Sequence, residues 1–311
     1  MWHPTLRYMA SILEYKIQEE DNNKKLRDYL KSKLTLSTRL IRGAAIDGRI
    51  KINGHVVKLN HIIKTGDILQ IDVAKDEDQN IVPEPMDLDI VHEDEDLIVI
   101  NKPPFTVVHP TRSHQSGTLA NGVLYHFRSK GENCIVRLVS RLDMDTSGLI
   151  VIAKNQYSHM FLAMEMEKNN FLKGYTAIAW GNISQTQGTI NKPIYRPQDD
   201  SIKRVVDERG QESITHYEVT ERLRNADIVK LRLETGRTHQ IRVHLSHLGH
   251  PIIGDTLYGR GGEEELIKRQ ALHASHLGFV HPRTKEFLML SCELPEDIRS
   301  LIRKLKEREQ D

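Results

Sequence analysis

The chain has 311 residues, of which 38% are hydrophobic and 28% charged, which excludes a disordered chain and fits one large domain or a medium domain with a small module. The net charge of +1 gives no bulk attraction to nucleic acid. The only cysteines, Cys134 and Cys292, are too few and too far apart for a disulfide framework, and no Cys-x-x-Cys suggests structural zinc. With no signal-like start and no apolar run of membrane-spanning length, the expectation is a soluble, cytoplasmic chain with no membrane partner, monomeric by default.

Residues 1–22 are mixed and weakly patterned, and read as an N-terminal extension. Nine basic residues then fall between positions 24 and 51: Lys24, Lys25, Arg27, Lys31, Lys33, Arg39, Arg42, Arg49 and Lys51. Only Asp28 and Asp47 oppose them. Leu26, Tyr29 and Leu30 recur at helical spacing, and Ser37 can cap a second helix carrying Leu40, Ile41 and Ala44. Arg49 to Ile52, then Asn53-Gly54, then His55 to Val57, is a hairpin signal, because Asn-Gly supplies the positive φ of a tight turn. Gly66-Asp67 turns the chain into the alternating strand Ile68 to Ile71. A compact cationic unit of this kind can displace counterions from an RNA backbone, although a solvated charged face gives the same run. The nearly single sign on so small a unit favours RNA contact, with Lys24, Lys25, Arg27, Arg39, Arg42 and Lys51 as the expected contacts.

From Asp76 to Asp96 the sign reverses, with ten acids and no Lys or Arg. Pro83 and Pro85 lie inside, so residues 76–85 read as a linker between a small unit (23–75) and a large one (86–311). In the large unit the apolar runs are short: Leu97 to Ile100, Leu149 to Ala153, and Ile228 to Leu233. They fit strands, separated by helical stretches of unequal length, which predicts an α+β domain rather than a strict βαβ repeat. The last segment, Pro295 to Lys306, places Ile298, Leu301, Ile302 and Leu305 on one stripe of a helix that should dock on the sheet.

Ser140 to Gly148 is dense in polar groups and runs straight into one of these strands. A loop held by a rigid sheet is where a reactive side chain is often presented, but a turn with a local salt bridge looks the same. His239, His244, His247 and His250 suggest a metal, yet no glutamate stands at zinc-hydrolase spacing and no cysteine is near, so packing histidines and no metal are expected.

Two resemblances narrow these alternatives. Leu26 to Leu30, Ser37 to Ile41, Gly48 to Gly54 and Gly66-Asp67 resemble the small RNA-binding module named after ribosomal protein S-four, over about Asn23 to Val73, whose basic helix face grips RNA phosphates. Arg141-Leu142-Asp143-x-x-Thr146-Ser147-Gly148-Leu149 with Ala153-Lys154 resembles the central motif of RluA-type (RluD-like) pseudouridine synthases. The remaining blocks stand in order along the chain: His92 to Leu97, Asn101 to Pro104 and Val108 to Pro110 before it, then Lys173 to Ala177 with Trp180-Gly181, Thr235 to His244, Gly254-Asp255-x-x-Tyr258-Gly259, and Leu272 to Ala274. The likeness spans about Met86 to Pro295. It implies a mixed, largely antiparallel sheet domain preceded by the small α/β module, and a cofactor-free isomerisation of uridine in RNA.

By that resemblance Asp143 is the catalytic carboxylate, as nucleophile or as base, Arg237 is the guanidinium that holds it ionised, and Tyr175 is the tyrosine that meets the flipped base. Leu272 is an apolar floor. Arg141 fills the space of the flipped nucleotide, holds a phosphate, or pairs with Asp145, while Lys102 and His109 position the RNA backbone or the loop. Two positions depart from the family: Ser140, where histidine is frequent, and Phe105, where glycine is common. Appended modules of this type point to rRNA rather than tRNA as substrate. A tRNA-modifying enzyme and a non-catalytic RNA-binding or ribosome-assembly factor are the competing expectations.

Overall fold

The computed structural model describes residues 12–34, 36–73, 79–198, 201–262 and 265–307. The N-terminal unit contains β1 (Ile12–Lys16), α1 (Leu26–Ser32), α2 (Thr38–Ile46), β2 (Ile50–Ile52), β3 (His55–Val56) and β4 (Ile68–Asp72), with its four strands in the order β1-β4-β2-β3. Ser37 does cap α2, its Oγ accepting the Leu40 amide at 3.2 Å, a contact typically contributing about 1 kcal/mol. Asn53 and Gly54 both take positive φ, 50° and 82°, and so form the turn that twists with its two strands. Leu26, Leu30, Leu40, Ile50, Ile63, Leu69 and Ile71 form the core.

The expected boundaries shift here. Residues 12–16 are not an extension: β1 pairs along its whole length with β4, and Leu13 and Ile17 enter the core. The expected linker is partly packed as well. Ile81 joins the core of the large unit, Gln79 exchanges hydrogen bonds with Val136, and the Glu84 carboxylate accepts the Gly117 amide.

The large unit follows with β5 (Ile90–Glu93), β6 (Leu97–Lys102), α3 (Leu119–Ser129), β7 (Arg137–Leu138), β8 (Ser147–Ala153), α4 (Gln156–Glu167), β9 (Leu172–Trp180), β10 (Gln187–Asn191), β11 (Ile194–Tyr195), β12 (Val205–Val206), β13 (Ile214–Leu223) and β14 (Ala226–Leu233). It closes with α5 (Gln240–His247), β15 (Leu272–Val280), β16 (Phe287–Ser291) and α6 (Glu296–Glu307). Ten strands form one sheet in the order β10-β13-β14-β9-β15-β8-β6-β5, with β16 beside β15 and β7 beside β8. Among the described residues one junction is parallel, β8 with β15, and the rest is antiparallel, as the resemblance implied.

Alternation along the central strands divides the interior. Ile98, Ile100, Ile150 and Ile152 face α3 through Val123, Leu124 and Phe127, whereas Leu97, Val99, Leu149 and Val151 face Leu162 of α4. Each such fully buried branched side chain contributes about 2 kcal/mol. Helix α6 lays Ile298, Leu301 and Leu305 on the β9–β14 region, which makes that end of the sheet a rigid base for the loops above it.

Candidate active site

Asp143 sits in the loop between β7 and β8, and a set of buried groups holds that loop by its backbone. Asp143 to Thr146 form a turn closed by the Thr146 amide donating to the Asp143 carbonyl at 3.1 Å. The fully buried Lys102 donates to the Met144 carbonyl at 2.9 Å, and also to the carbonyls of Pro103 and Thr106. Arg269, itself fixed bidentately to Asp297, donates to the Asp145 carbonyl at 2.9 Å, and Gln270 donates to the Thr146 hydroxyl. Two cations and an amide thus clamp a turn that has little side-chain packing of its own. Burial, helped by the charge of Arg269, pushes the Lys102 ammonium down to about 7. Of the two roles expected for Lys102, its burial and its three carbonyl partners fit that of holding the loop.

Where the loop enters β8, Gly148 has φ of 110°, and a Cβ there would stand 2.3 Å from the Ala274 carbonyl oxygen. Only glycine lets β8 approach β15 this closely. The junction is sealed by Ser147 Oγ against His273 Nδ1 at 2.9 Å.

The Asp143 carboxylate faces a shallow pocket lined by Arg141, Leu142, Thr146, Tyr175, Leu233, Arg237, His239, Arg242 and Leu272. Asp143, Tyr175, Arg237, Arg141 and Leu272 are therefore brought together. His109 is exposed and lies outside this lining. The guanidinium paired with Asp143 is not the expected one. Arg242 Nη1 donates to Asp143 Oδ2 at 3.0 Å, whereas the exposed Arg237 donates through Nε to the Glu212 carbonyl at 3.2 Å. The reason is where the helix begins. His239 takes φ of 58° and starts α5, and Gln240 pins the preceding turn by accepting from Thr235 Oγ1 and the Arg237 amide. That turn carries Arg237 outward and sets Arg242 on the buried side of the first helical turn.

Arg242 is held in turn by Asp255, Nε to Oδ2 at 2.7 Å and Nη2 to Oδ1 at 2.9 Å. Asp255 also accepts the amides of Leu257 and Tyr258, and the Tyr258 hydroxyl meets His239 Nδ1 at 2.9 Å. Burial opposes the charge on Arg242, but Asp255 and Asp143 overcome it and hold the guanidinium above its ordinary range. Burial likewise disfavours the Asp255 carboxylate, and Arg242 reverses the sign. Asp143 Oδ1 accepts no hydrogen bond among the described residues, the contacts of this carboxylate being at Oδ2. Burial, then the charge of Asp143, raises the Tyr175 phenol, so it stays protonated at neutral pH. Sequence reasoning missed Arg242 and Asp255, although both stand in motif blocks; the usable signal was an acid, Asp255, in an otherwise apolar and glycine-rich turn. Arg141 is exposed and makes no ion pair with Asp145 among the described residues, which leaves its head free over the pocket.

Among the described residues one cluster has metal-ligand proximity, Asp94, Asp96 and His281, and Arg283 already occupies the Asp96 carboxylate with Nε at 2.6 Å. Of the candidate histidines, His244 bonds Thr215 and the Lys192 carbonyl, and His250 bonds the Trp180 carbonyl. No helix among the described residues is long and apolar enough to cross a membrane.

The sequence and the fold have known relatives. Residues 96–247 match the family model described as RNA pseudouridylate synthase. The chain is 43% identical over 296 residues to the uncharacterized RNA pseudouridine synthase YhcT of Bacillus subtilis, covering 94% of this chain and 96% of that one. The chain belongs to the RNA pseudouridine synthase family. It is also 40% identical to ribosomal large subunit pseudouridine synthase D of Pasteurella multocida, over 83% of each chain. In structure it resembles human RNA pseudouridylate synthase domain containing 1, with a TM-score of 0.56 and 27% identity over 71% of this chain and 97% of that one. As a pseudouridine synthase it is an isomerase that converts uridine in RNA to pseudouridine.

Proposed function

We propose that this synthase modifies uridines of large-subunit rRNA, with Asp143 as its catalytic carboxylate. The observation that supports this most is the free oxygen of Asp143, held by the Asp255–Arg242 pair at a pocket shared with Tyr175 and Leu272. Pseudouridine formation breaks the bond from ribose to uracil nitrogen 1, turns the base and rejoins the ribose to carbon 5. A stacked base cannot turn, so the nucleotide must leave the helix, and the exposed Arg141 is placed to occupy the space left behind. The Asp143 side chain then acts on the ribose, as nucleophile at carbon 1′ or as base at carbon 2′; both begin from the same oxygen. Arg242 fixes that oxygen's direction, Leu272 supports the base, and the Tyr175 ring stacks on it while its hydroxyl, kept protonated, donates rather than accepts.

The name of the Pasteurella relative supports the large-subunit rRNA substrate, and so does the N-terminal unit, which we read as the S-four-like RNA-binding module. Lys25, Arg39 and Arg42 are exposed there and have no ion-pair partner among the described residues, whereas Lys24 pairs with Asp21 and Arg27 with Asp28. Arg39 and Arg42 lie three apart on α2 and so share a face. The experiment is pseudouridine mapping of total RNA from cells with and without the gene. Loss of specific sites in large-subunit rRNA is expected, and a change confined to tRNA would overturn the rRNA substrate.

A further inference from the structure

Lys173 has no part in the reading so far. It lies on β9 two residues before Tyr175, so both side chains leave the strand on the same face. It is only 8% exposed, yet no hydrogen bond or ion pair reaches it among the described residues. A buried ammonium without a counter-charge is unfavourable, and its usual remedy is a nearby carboxylate. Here the neighbour is another cation. Burial first, and then the charge of Arg237, lowers the Lys173 ammonium below its ordinary range. Arg237 uses Nε on the Glu212 carbonyl and keeps both terminal nitrogens unpartnered among the described residues.

Between them runs bare backbone. A Cβ built at Gly236 would stand 3.5 Å from Lys173 Nζ, so the buried ammonium lies directly beside this exposed backbone segment. Arg237 lines the same pocket as Asp143, Tyr175 and Leu272. Two neighbouring cations with no ion-pair partner among the described residues, beside an exposed backbone segment, form a site whose charge an anion would balance. In an RNA strand the anions are phosphodiesters.

We propose that Lys173 and Arg237, across the backbone of Gly236, bind one phosphodiester group beside the target uridine. This rests on the reading of the Asp143 pocket as the uridine site. Anchoring that phosphate fixes the attached ribose relative to Asp143, so Lys173 is a binding and positioning residue, and Arg237 has this task instead of the one expected for it.

The test uses the full chain carrying Asp143→Asn, so that bound RNA is not turned over. The probe is a short synthetic hairpin containing the uridine found by mapping, prepared as a series with one uncharged methylphosphonate linkage at each position. With Lys173 present, one linkage next to the uridine should weaken binding about 10-fold. With Lys173→Met, that linkage should cost nothing further, while all other linkages cost what they did before; Lys173→Arg should restore the selective loss. Equal losses from every linkage with either residue, or unchanged binding in Lys173→Met, would overturn the proposal. Should Lys173→Met fail to fold, Arg237→Gln at the exposed partner should remove the same linkage-specific effect, and retention of that effect would overturn it. Failure of the uridine-site reading shows separately, as conversion persisting in Asp143→Asn.

Discussion

At the scale of single residues, the two arginines of one motif block have different partners, Arg242 the Asp143 carboxylate and Arg237 the Glu212 carbonyl. Arg237 and Arg242 are five positions apart, and composition or spacing gives no reason to prefer either as the partner of Asp143. The choice is made by the left-handed His239 that starts the helix and by Asp255, which holds Arg242 from behind. Phe105 teaches a related lesson. Its φ is 61°, the conformation for which glycine is suited, so the family preference at this position has a backbone cause, and the phenyl ring is left 57% exposed. The Asp255–Arg242 pair carries a prediction. Asp255→Asn removes the charge from a buried pair and should destabilise the protein by about 3 kcal/mol in urea unfolding. With Arg242 loosened, kcat should fall about 100-fold with KM nearly unchanged. A raised KM with normal kcat would assign Arg242 to binding instead.

At the scale of elements, the strands at the centre of the sheet were legible because their apolar runs are short and bounded by turn residues. Strand β1 was not, since Ile12 to Lys16 alternates weakly and becomes a strand through its pairing with β4. The clamps on the Asp143 loop were equally hidden. Lys102 and Arg269 are polar residues whose burial depends on elements far apart in the chain.

The parallel junction of β8 and β15 makes two predictions. Gly148→Ala places a methyl group 2.3 Å from the Ala274 oxygen at φ of 110°, and should cost about 3 kcal/mol or more, read as a lowered thermal midpoint. His273, bonded to Ser147 on one side and facing Cys292 on the other, is held neutral: burial, reinforced by Arg269, lowers it to about 4 from 6.5. Between those two values the unfolded chain binds a proton that the folded chain refuses, so stability falls as pH drops from 6.5 toward 4. Above 6.5 both states are neutral and this dependence vanishes. Urea midpoints of His273→Gln should fall less over that window than those of the parent, and an identical acid dependence would contradict the assignment.

At the scale of the whole molecule, the near-zero net charge hides a division of sign that the sequence displayed plainly, with the basic run in the small unit and the acids after it. What it did not display is how the small unit is attached. Tyr157 of α4 completes that unit's core, and Arg283, fixed on Asp96, donates through Nη1 to the Ile12 carbonyl at 3.1 Å. Asp96, the last acid of the run that follows the basic unit, therefore serves in a junction between the two units. Replacing Lys25, Arg39 and Arg42 together by Gln leaves this junction untouched. It should weaken RNA binding and reduce the slope of log affinity against log salt by about 2 to 3, with conversion preserved at saturating RNA. An unchanged slope would remove the module from the RNA interface.

The central claim is that the free oxygen of Asp143 performs the isomerisation. Its most direct test compares the purified chain with its Asp143→Asn variant on an unmodified large-subunit rRNA transcript, reading pseudouridine uridine by uridine and RNA affinity in parallel. The parent should convert defined uridines, and the variant none, with affinity within about 2-fold because phosphate contacts dominate binding. Conversion at the same uridines by Asp143→Asn would contradict the assignment.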